Sequence, residues 1–359
     1  MRIAVLGAGG FLGSHLVPAL LAQGDCEVDA VDVTFDKLAT VDPRLRRFAT
    51  RIGARGVLDD VVGRCDLVLS LTALCNPALY STRPIEVIDS NYTDLVPLVE
   101  LCAKRGKRLV HFSTCEVYGR SALDASGRPM ATMNEEETAF FLGPLHRERW
   151  TYACAKQLLE RVIWAYGQHE QLEFTIVRPF NVIGARMDFV PGVDGQGVPR
   201  VLASFMSALL RGGELLLVDG GRQKRSFIST GDFVEAIVRI VQRPEATRRQ
   251  VINVGNPENN VTIRELARAL GRAFEERVPG ACRTRVREVT SEELYGPGYD
   301  DSLERLPDIT KARRLLDWQP RTTLREMLAP IVDDYVLRYR SILTAPREAG
   351  VLLASGTGE

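Results

Sequence analysis

A short apolar run, Ile3-Ala4-Val5-Leu6, leads directly into Gly7-Ala8-Gly9-Gly10-Phe11-Leu12-Gly13, and an amphipathic stretch begins at Ser14-His15-Leu16. No other feature constrains the fold as strongly. Glycines at 7, 10 and 13 permit a tight turn after a buried strand. They bring backbone N–H groups to a helix N-terminus, where a pyrophosphate can be held. A second strand is expected over 27–33, and its acid, Asp32, lies about 20 residues past the glycines. A carboxylate there accepts a hydrogen bond from a ribose 2′-hydroxyl and repels a 2′-phosphate. Gly7, Gly10, Phe11, Leu12, Gly13 and Asp32 are the expected cofactor-binding residues, and NAD is expected rather than NADP.

Further strands are expected over 66–73, 108–113, 173–178 and 250–255. Helices are expected over 91–105, from Tyr152 to about His169 with Leu158, Leu159, Val162 and Ile163 on one apolar stripe, over 201–210 and over 231–242. Alternating strands and helices imply an α/β fold, a Rossmann-like doubly wound parallel sheet with ligands at the carboxyl ends of its strands. The alternation weakens after Asn181, which points to a smaller C-terminal α/β substrate-binding domain. We divide the chain into a nucleotide-binding unit, 1–182, to which 226–257 returns, and a substrate unit, 183–225 with 258–345. The tail, 346–359, is expected to be flexible. Thr262-Ile263-Arg264-Glu265 reads as a capping box, and the acidic run 135–137 as a solvated segment.

Lys and Arg number 46 and Asp and Glu 46, so no global basic field points to nucleic acid. No apolar run suits a bilayer, and the N-terminus enters a strand with no leader. The seven cysteines are scattered, with no Cys-x-x-Cys pair and no metal-like cluster with the four histidines. Reduced thiols, a cytoplasmic location and no metal are therefore expected.

Tyr152 and Lys156 stand four residues apart in an expected helix, on one face. A lysine cation beside a phenol is expected to lower its pKa, fitting it to take a proton from a sugar hydroxyl. Two expected strand ends carry unusual residues: Cys75-Asn76-Pro77-Ala78-Leu79-Tyr80, and Ser113-Thr114-Cys115-Glu116. In a doubly wound sheet both open onto the active crevice. Thr114 is placed to hold the reacting hydroxyl, and Glu116 for general acid/base work. Cys75 and Cys115 are read either as reactive thiols facing the crevice or as space-filling residues. Arg225, in the basic turn 219–227, is placed to grip a diphosphate by a bidentate fork.

Thr114, Tyr152, Lys156 and the glycine turn together resemble the extended short-chain dehydrogenase/reductase superfamily, over nearly the whole chain. Segments 111–119, 149–157, 186–192, 197–201 and 298–302 resemble the UDP-apiose/UDP-xylose synthase family. The UDP-glucuronate decarboxylases are the next most similar group. Those usually carry Ser at Cys115 and have no counterpart of Cys75. The resemblance implies NAD-dependent oxidation of UDP-glucuronate at C4, decarboxylation, retro-aldol and aldol ring contraction, and re-reduction. It implies a homodimer and catalytic roles for Tyr152, Lys156, Thr114, Cys115, Glu116 and Cys75. It also implies contacts near the sugar or its carboxylate for Arg149, Arg200 and Arg305, a place bordering the sugar for Tyr80, substrate contacts for Asn181 and Tyr299, and a diphosphate contact for Arg225. Val182 departs from the Trp usual in both groups, and the glycine-rich segment around Gly195 is short. The alternatives are decarboxylation without ring contraction, or a catalytically silent NAD-binding sensor.

Overall fold

The computed structural model describes residues 1–53, 55–120, 122–280, 284–295 and 300–344. Cys282, Tyr299 and the C-terminal tail, on which sequence expectations fall, lie outside the described residues.

Five strands, β1 (Arg2–Leu6), β2 (Glu27–Asp32), β3 (Leu45–Ala49), β4 (Leu67–Ser70) and β5 (Arg108–Phe112), join Phe174–Pro179 and Gln250–Val254 in one seven-stranded sheet. The order runs β3-β2-β1-β4-β5, then Phe174–Pro179, then Gln250–Val254, and every pairing is parallel. Strand order reverses between β1 and β4, which makes their carboxyl ends the binding crevice of a doubly wound sheet.

Alternation along the strands explains the two cores. Ile3 and Val5 point to one face, with Leu16 and Leu20 of the Phe11–Ala22 helix and Phe233 and Ile237 of the Thr230–Gln242 helix. Ala4 and Leu6 point to the other, with Leu98 and Val99 of the Val96–Lys104 helix and Leu159 and Ile163 of the Thr151–His169 helix. Strands covered on both faces read as continuous apolar runs, as β1 and β4 do. A separate core lies in the C-terminal part. Phe205 and Leu209 of the Val201–Arg211 helix pack there with Leu270 and Phe274 of the Ile263–Arg277 helix and Ile331 and Tyr335 of the Leu324–Arg338 helix. The Thr262 capping box forms, with both reciprocal hydrogen bonds present.

Four local expectations are corrected. The edge strand β3 was not anticipated, because Arg46 and Arg47 interrupt its apolar signal and both are exposed. The expected helix over 91–105 is instead a π-helical turn, Asp89–Thr93, followed by the Val96–Lys104 α-helix with Pro97 in its first turn. Proline tolerates the first turn of a helix but not its interior, so the helix restarts there. On the Tyr152 helix the apolar stripe leaves Leu158 outside, 47% exposed. The acidic run is not uniformly solvated: Glu135 accepts from the Asn253 amide at 2.8 Å, and burial pushes its carboxyl up.

The glycine turn is tightly built. Gly7 adopts a φ of +85°, and a Cβ on Gly13 would stand 2.5 Å from the carbonyl oxygens of Gly7 and Ala8. Gly9, which the sequence spacing did not single out, is more restricted: its Cβ would meet the Thr34 carbonyl oxygen at 1.8 Å. Gly10 has room by comparison, its nearest contact lying at 3.4 Å. Gly9→Ala must therefore displace backbone rather than a side chain. We expect it to destabilise the protein by about 2–4 kcal/mol. Thermal denaturation checks this, and an unchanged Tm would contradict the packing described.

Candidate active site

The glycine turn after β1 is held against the end of β2. Asp32 accepts from the Gly9 amide at 2.9 Å and from the Val33 amide at 2.7 Å. Its carboxylate thus stands over the turn, in the place a ribose-binding acid needs. A tight cradle that excludes Cβ atoms, a helix N-terminus and this acid together fit NAD.

The end of β5 supplies the next group. Thr114 caps a short 3₁₀ turn, Cys115–Tyr118, by accepting from the Glu116 amide at 3.2 Å. A side-chain hydrogen bond also joins Thr114 to Tyr152, in the first turn of the Thr151–His169 helix. Below them Lys156 is fully buried and donates to the Phe112 carbonyl at 3.1 Å. Burial lowers this ammonium to about 8.

Here the sequence expectation needs correction. In the protein alone the Tyr152 phenol is not acidified. Burial pushes it well above the ordinary value, Cys75 and Glu116 push the same way, and the Thr114 hydrogen bond only opposes this. Lys156 is itself desolvated, so its charge is weakened where the phenolate would need it. NAD, when bound, supplies a hydride-accepting ring and a positive charge.

The end of β4 brings Cys75 and Tyr80 to the same place. Tyr80 stacks on Tyr152 with ring centroids 5.3 Å apart and planes 11° from parallel. Cys75 and Leu79 pack against this pair. Asn91, buried in the π-helical turn, donates to the Leu74 carbonyl at 3.0 Å and so fixes the residue before Cys75. Asn76 donates to the Val198 carbonyl at 3.1 Å, which ties this tip to the segment carrying Arg200. Arg200 pairs with Asp188 at 3.1 Å and lies near Cys75 and Tyr80. Asn181 donates to the Ser226 carbonyl at 3.2 Å, joining the end of Phe174–Pro179 to the strand that carries Arg225.

Five charged side chains meet beside Tyr80. Glu116 is paired with Arg149 at 2.5 and 3.0 Å and with Arg305 at 3.3 Å. Asp301 is paired with Arg225 at 2.7 Å, Arg305 at 3.1 Å and Arg149 at 3.4 Å. Arg149 also lies over the Tyr80 ring, 5.4 Å from its centroid. Cys115 is buried beside this cluster; burial raises its thiol, and Arg305 and Arg225 oppose the rise. Arg225 is therefore not a solvated hairpin tip. Asp301 was missed as a site residue: nothing in sequence spacing joins it to Arg149, 152 positions away.

A second buried network stands behind the 3₁₀ turn. Arg178 grips Glu160 of the Tyr152 helix at 2.6 and 3.0 Å and donates to the Tyr118 hydroxyl at 2.9 Å. Tyr118 in turn donates to Asn253 at 2.8 Å. Arg178 thereby fixes the Tyr152 helix to the turn that holds Cys115 and Glu116.

Burial works against charge on Asp301, but Arg225, Arg149 and Arg305 outweigh it and hold the carboxyl at about 2. Burial likewise opposes charge on Glu116, and Arg149 and Arg305 again prevail, so its carboxyl lies below the usual range. The unfolded chain takes up these protons near its ordinary carboxyl values, while the folded chain resists. The stabilisation is thus complete above about pH 5 and is lost as pH falls toward about 2. We expect Tm to fall over that interval, and less steeply in Asp301→Asn. Equal acid slopes in the two proteins would contradict the assignment.

Residues 3–255 match the model of the NAD dependent epimerase/dehydratase family. The chain is 43% identical to UDP-D-apiose/UDP-D-xylose synthase 1 of Arabidopsis thaliana, over 91% of this chain and 89% of that protein. It is also 43% identical to the UDP-D-apiose/UDP-D-xylose synthase of Oryza sativa subsp. japonica, over 91% and 87%. Among solved structures, the PbgP3 protein from Burkholderia pseudomallei matches with a TM-score of 0.83 and 32% identity, over 95% of this chain and 98% of that one. A UDP-glucuronic acid 4-epimerase from Bacillus cereus, in complex with UDP-glucuronic acid and NAD, shares the fold at a TM-score of 0.79 and 21% identity, over 94% and 100%. With a glycine cradle, a Tyr152–Lys156 helix and Thr114 in one crevice, the chain belongs to the NAD dependent epimerase/dehydratase family of nucleotide-sugar enzymes.

Proposed function

We propose that this enzyme converts UDP-glucuronate to UDP-apiose, with UDP-xylose as co-product. The observation that carries this reading is the meeting of Cys75 and Cys115 with Tyr152 at adjacent strand tips, beside an arginine cluster suited to an anionic sugar nucleotide. The likeness to the plant synthases supports it.

The glycine cradle and Asp32 would hold NAD, which would supply a hydride acceptor at sugar C4 and a hydride donor to the carbonyl that remains at the end, C4 on the way to UDP-xylose and the former C3 on the way to UDP-apiose. Thr114 and Tyr152 hold the C4 hydroxyl, and Tyr152 takes its proton. The resulting 4-ketone makes the C6 carboxylate a β-keto acid, which loses CO2 because the ketone accepts the electron pair. Lys156 steadies the phenolate, although burial lowers its own ammonium to about 8. Arg149 and Arg305 hold Glu116 ionised and orient the sugar end of the site, with Arg200 and Tyr80 along its edge. Arg225 and Asn181 line the nucleotide side.

Retro-aldol cleavage between C2 and C3 takes the proton from the C2 hydroxyl and leaves the bonding pair as an enediolate over C3 and C4; a proton moved from O3 to O4 lets C4 attack the C2 aldehyde, whose oxygen takes up a proton while C3 becomes an aldehyde. Cys115 carries its proton near neutrality, because burial disfavours its thiolate, so it serves as a proton donor. Cys75, half-buried against the Tyr80–Tyr152 pair, is the facing thiol. A decarboxylase lacking these thiols stops at the unbranched pentose.

In this reading 1–182 with 226–257 is the NAD-binding unit, and 183–225 with 258–345 the UDP-sugar unit. The outward Leu158 and Trp164 of the Tyr152 helix, each 47% exposed, support a homodimer packed across that helix. Reduced thiols support a cytoplasmic location, and no helix among the described residues is long and apolar enough to cross a membrane.

Two sets of variants test the reading. Tyr152→Phe is expected to keep UDP binding and lose at least about 1,000-fold in turnover of UDP-glucuronate. Turnover within a few-fold of wild type would refute its role as the base. Cys75→Ala and Cys115→Ala are expected to lower the apiose-to-xylose ratio, measured by chromatography of the products, more than they lower CO2 release. An unchanged ratio in both would return the thiols to packing.

A further inference from the structure

Asp301 has no place in the proton transfers above, yet it sits among the three arginines assigned to the substrate's charged groups. Its Oδ2 faces Arg225 at 2.7 Å, and its Oδ1 faces Arg305 at 3.1 Å and Arg149 at 3.4 Å. The Ser302 amide, at 2.9 Å, donates to the same Oδ1, so the carboxylate is fixed by backbone as well as by charge. Glu116 is a second acid that two of these arginines share, Arg149 and Arg305. Arg149 and Arg305 are almost wholly buried, and Arg225 nearly so. Asp300, next in the chain, turns away: it accepts from the Trp150 indole at 3.3 Å and meets Arg120 at 3.5 Å near the surface.

These three guanidinium groups and two carboxylates together carry one net positive charge in a volume with little access to water. Without Asp301 the same volume would hold two. Buried guanidinium groups without counter-charge carry a heavy desolvation penalty, so the ligand-free protein needs the carboxylate. An incoming anion, in turn, finds its arginines already partly neutralised and meets a fixed negative charge within a few ångströms. The residue therefore stabilises the empty site and weakens anion binding, and both effects come from the same ion pairs.

We propose that Asp301 is a built-in counter-anion that fixes Arg149, Arg225 and Arg305 in place and limits the site's affinity for anionic nucleotides. The proposal rests on the assignment of those arginines to a nucleotide sugar. The site gives up raw affinity for UDP, a product fragment and competitor, and keeps arginine forks whose directions are set before the substrate arrives. Asp301 is thus a positioning and specificity residue rather than a catalytic one. A merely structural aspartate would not behave in this way, since its loss would loosen the arginines and weaken binding and turnover together.

The test is calorimetric titration of UDP into the full-length wild type, Asp301→Asn and Asp301→Glu. The Asn variant removes the charge at nearly constant shape, and the Glu variant keeps the charge. We expect the Asn variant to bind UDP on the order of tenfold more tightly at low salt, with the gap closing as salt is raised. We expect the Glu variant to stay within about twofold of wild type. UDP should also raise the Tm of the Asn variant more than that of wild type, and kcat on UDP-glucuronate should fall while KM falls with it. Should the Asn variant not fold, Asp301→Ser carries the same measurement. UDP binding no tighter in the uncharged variant, or an equal gain in the Asn and Glu variants, would overturn the proposal. Wild-type protein that binds UDP but leaves UDP-glucuronate unchanged would instead refute the function proposed above and leave the counter-anion intact.

Discussion

The pairing of Glu116 with Arg149 and Arg305 is the constraint on which the rest of the site depends. It joins three parts of the chain that are remote in sequence: the turn after β5, the residues just before the Tyr152 helix, and the last strand of the C-terminal part. Buried ion pairs are weak evidence for stability, because desolvation offsets much of their attraction. Their value here is geometric. An arginine fork bound at both nitrogens has one orientation, and a substrate carboxylate or diphosphate that meets it is oriented in turn.

A second constraint is burial, and it acts against the obvious chemistry. Tyr152, Lys156 and Cys115 are each driven toward their uncharged forms, the lysine to about 8. A bound cofactor and substrate change the charge these groups face, and with it how readily they exchange protons. The Arg178–Glu160–Tyr118 network holds the two halves of this arrangement at a fixed distance.

Much of the fold was readable in the sequence, because the glycine turn and the apolar runs obey local rules. The strands over 27–32, 67–70, 108–112 and 250–254 lie within expected segments, and those over 2–6 and 174–179 overrun theirs by one residue. The edge strand over 45–49 escaped because a strand covered on few sides need not be apolar. The helix over 91–105 was misread because a π-helical turn has no local signature beyond the proline that follows it. At the site, Thr114, Glu116, Tyr152 and Lys156 declared themselves by position at strand ends and helix spacing. Cys75 and Tyr80 gained meaning only when the stacking on Tyr152 was visible. Asp301 and Gly9 were hidden for another reason: what makes each of them matter is a contact with residues distant in sequence, at 1.8 Å from Thr34 for the glycine's absent Cβ and at 2.7 Å from Arg225 for the aspartate. The acidity of Tyr152 was misjudged because helix spacing reports proximity, whereas burial decides the direction of the shift.

The central claim is that this crevice runs a redox-neutral reaction in which a carbon–carbon bond of the sugar is broken and remade after CO2 is lost. The most direct measurement is proton NMR of the wild-type enzyme incubated with UDP-glucuronate and NAD. The account expects a branched-chain pentose, as the nucleotide sugar or its cyclic phosphate, to accumulate beside UDP-xylose with no net NADH. Unbranched products alone, accumulating NADH with a released ketone, or recovery of the glucuronate unchanged would contradict it.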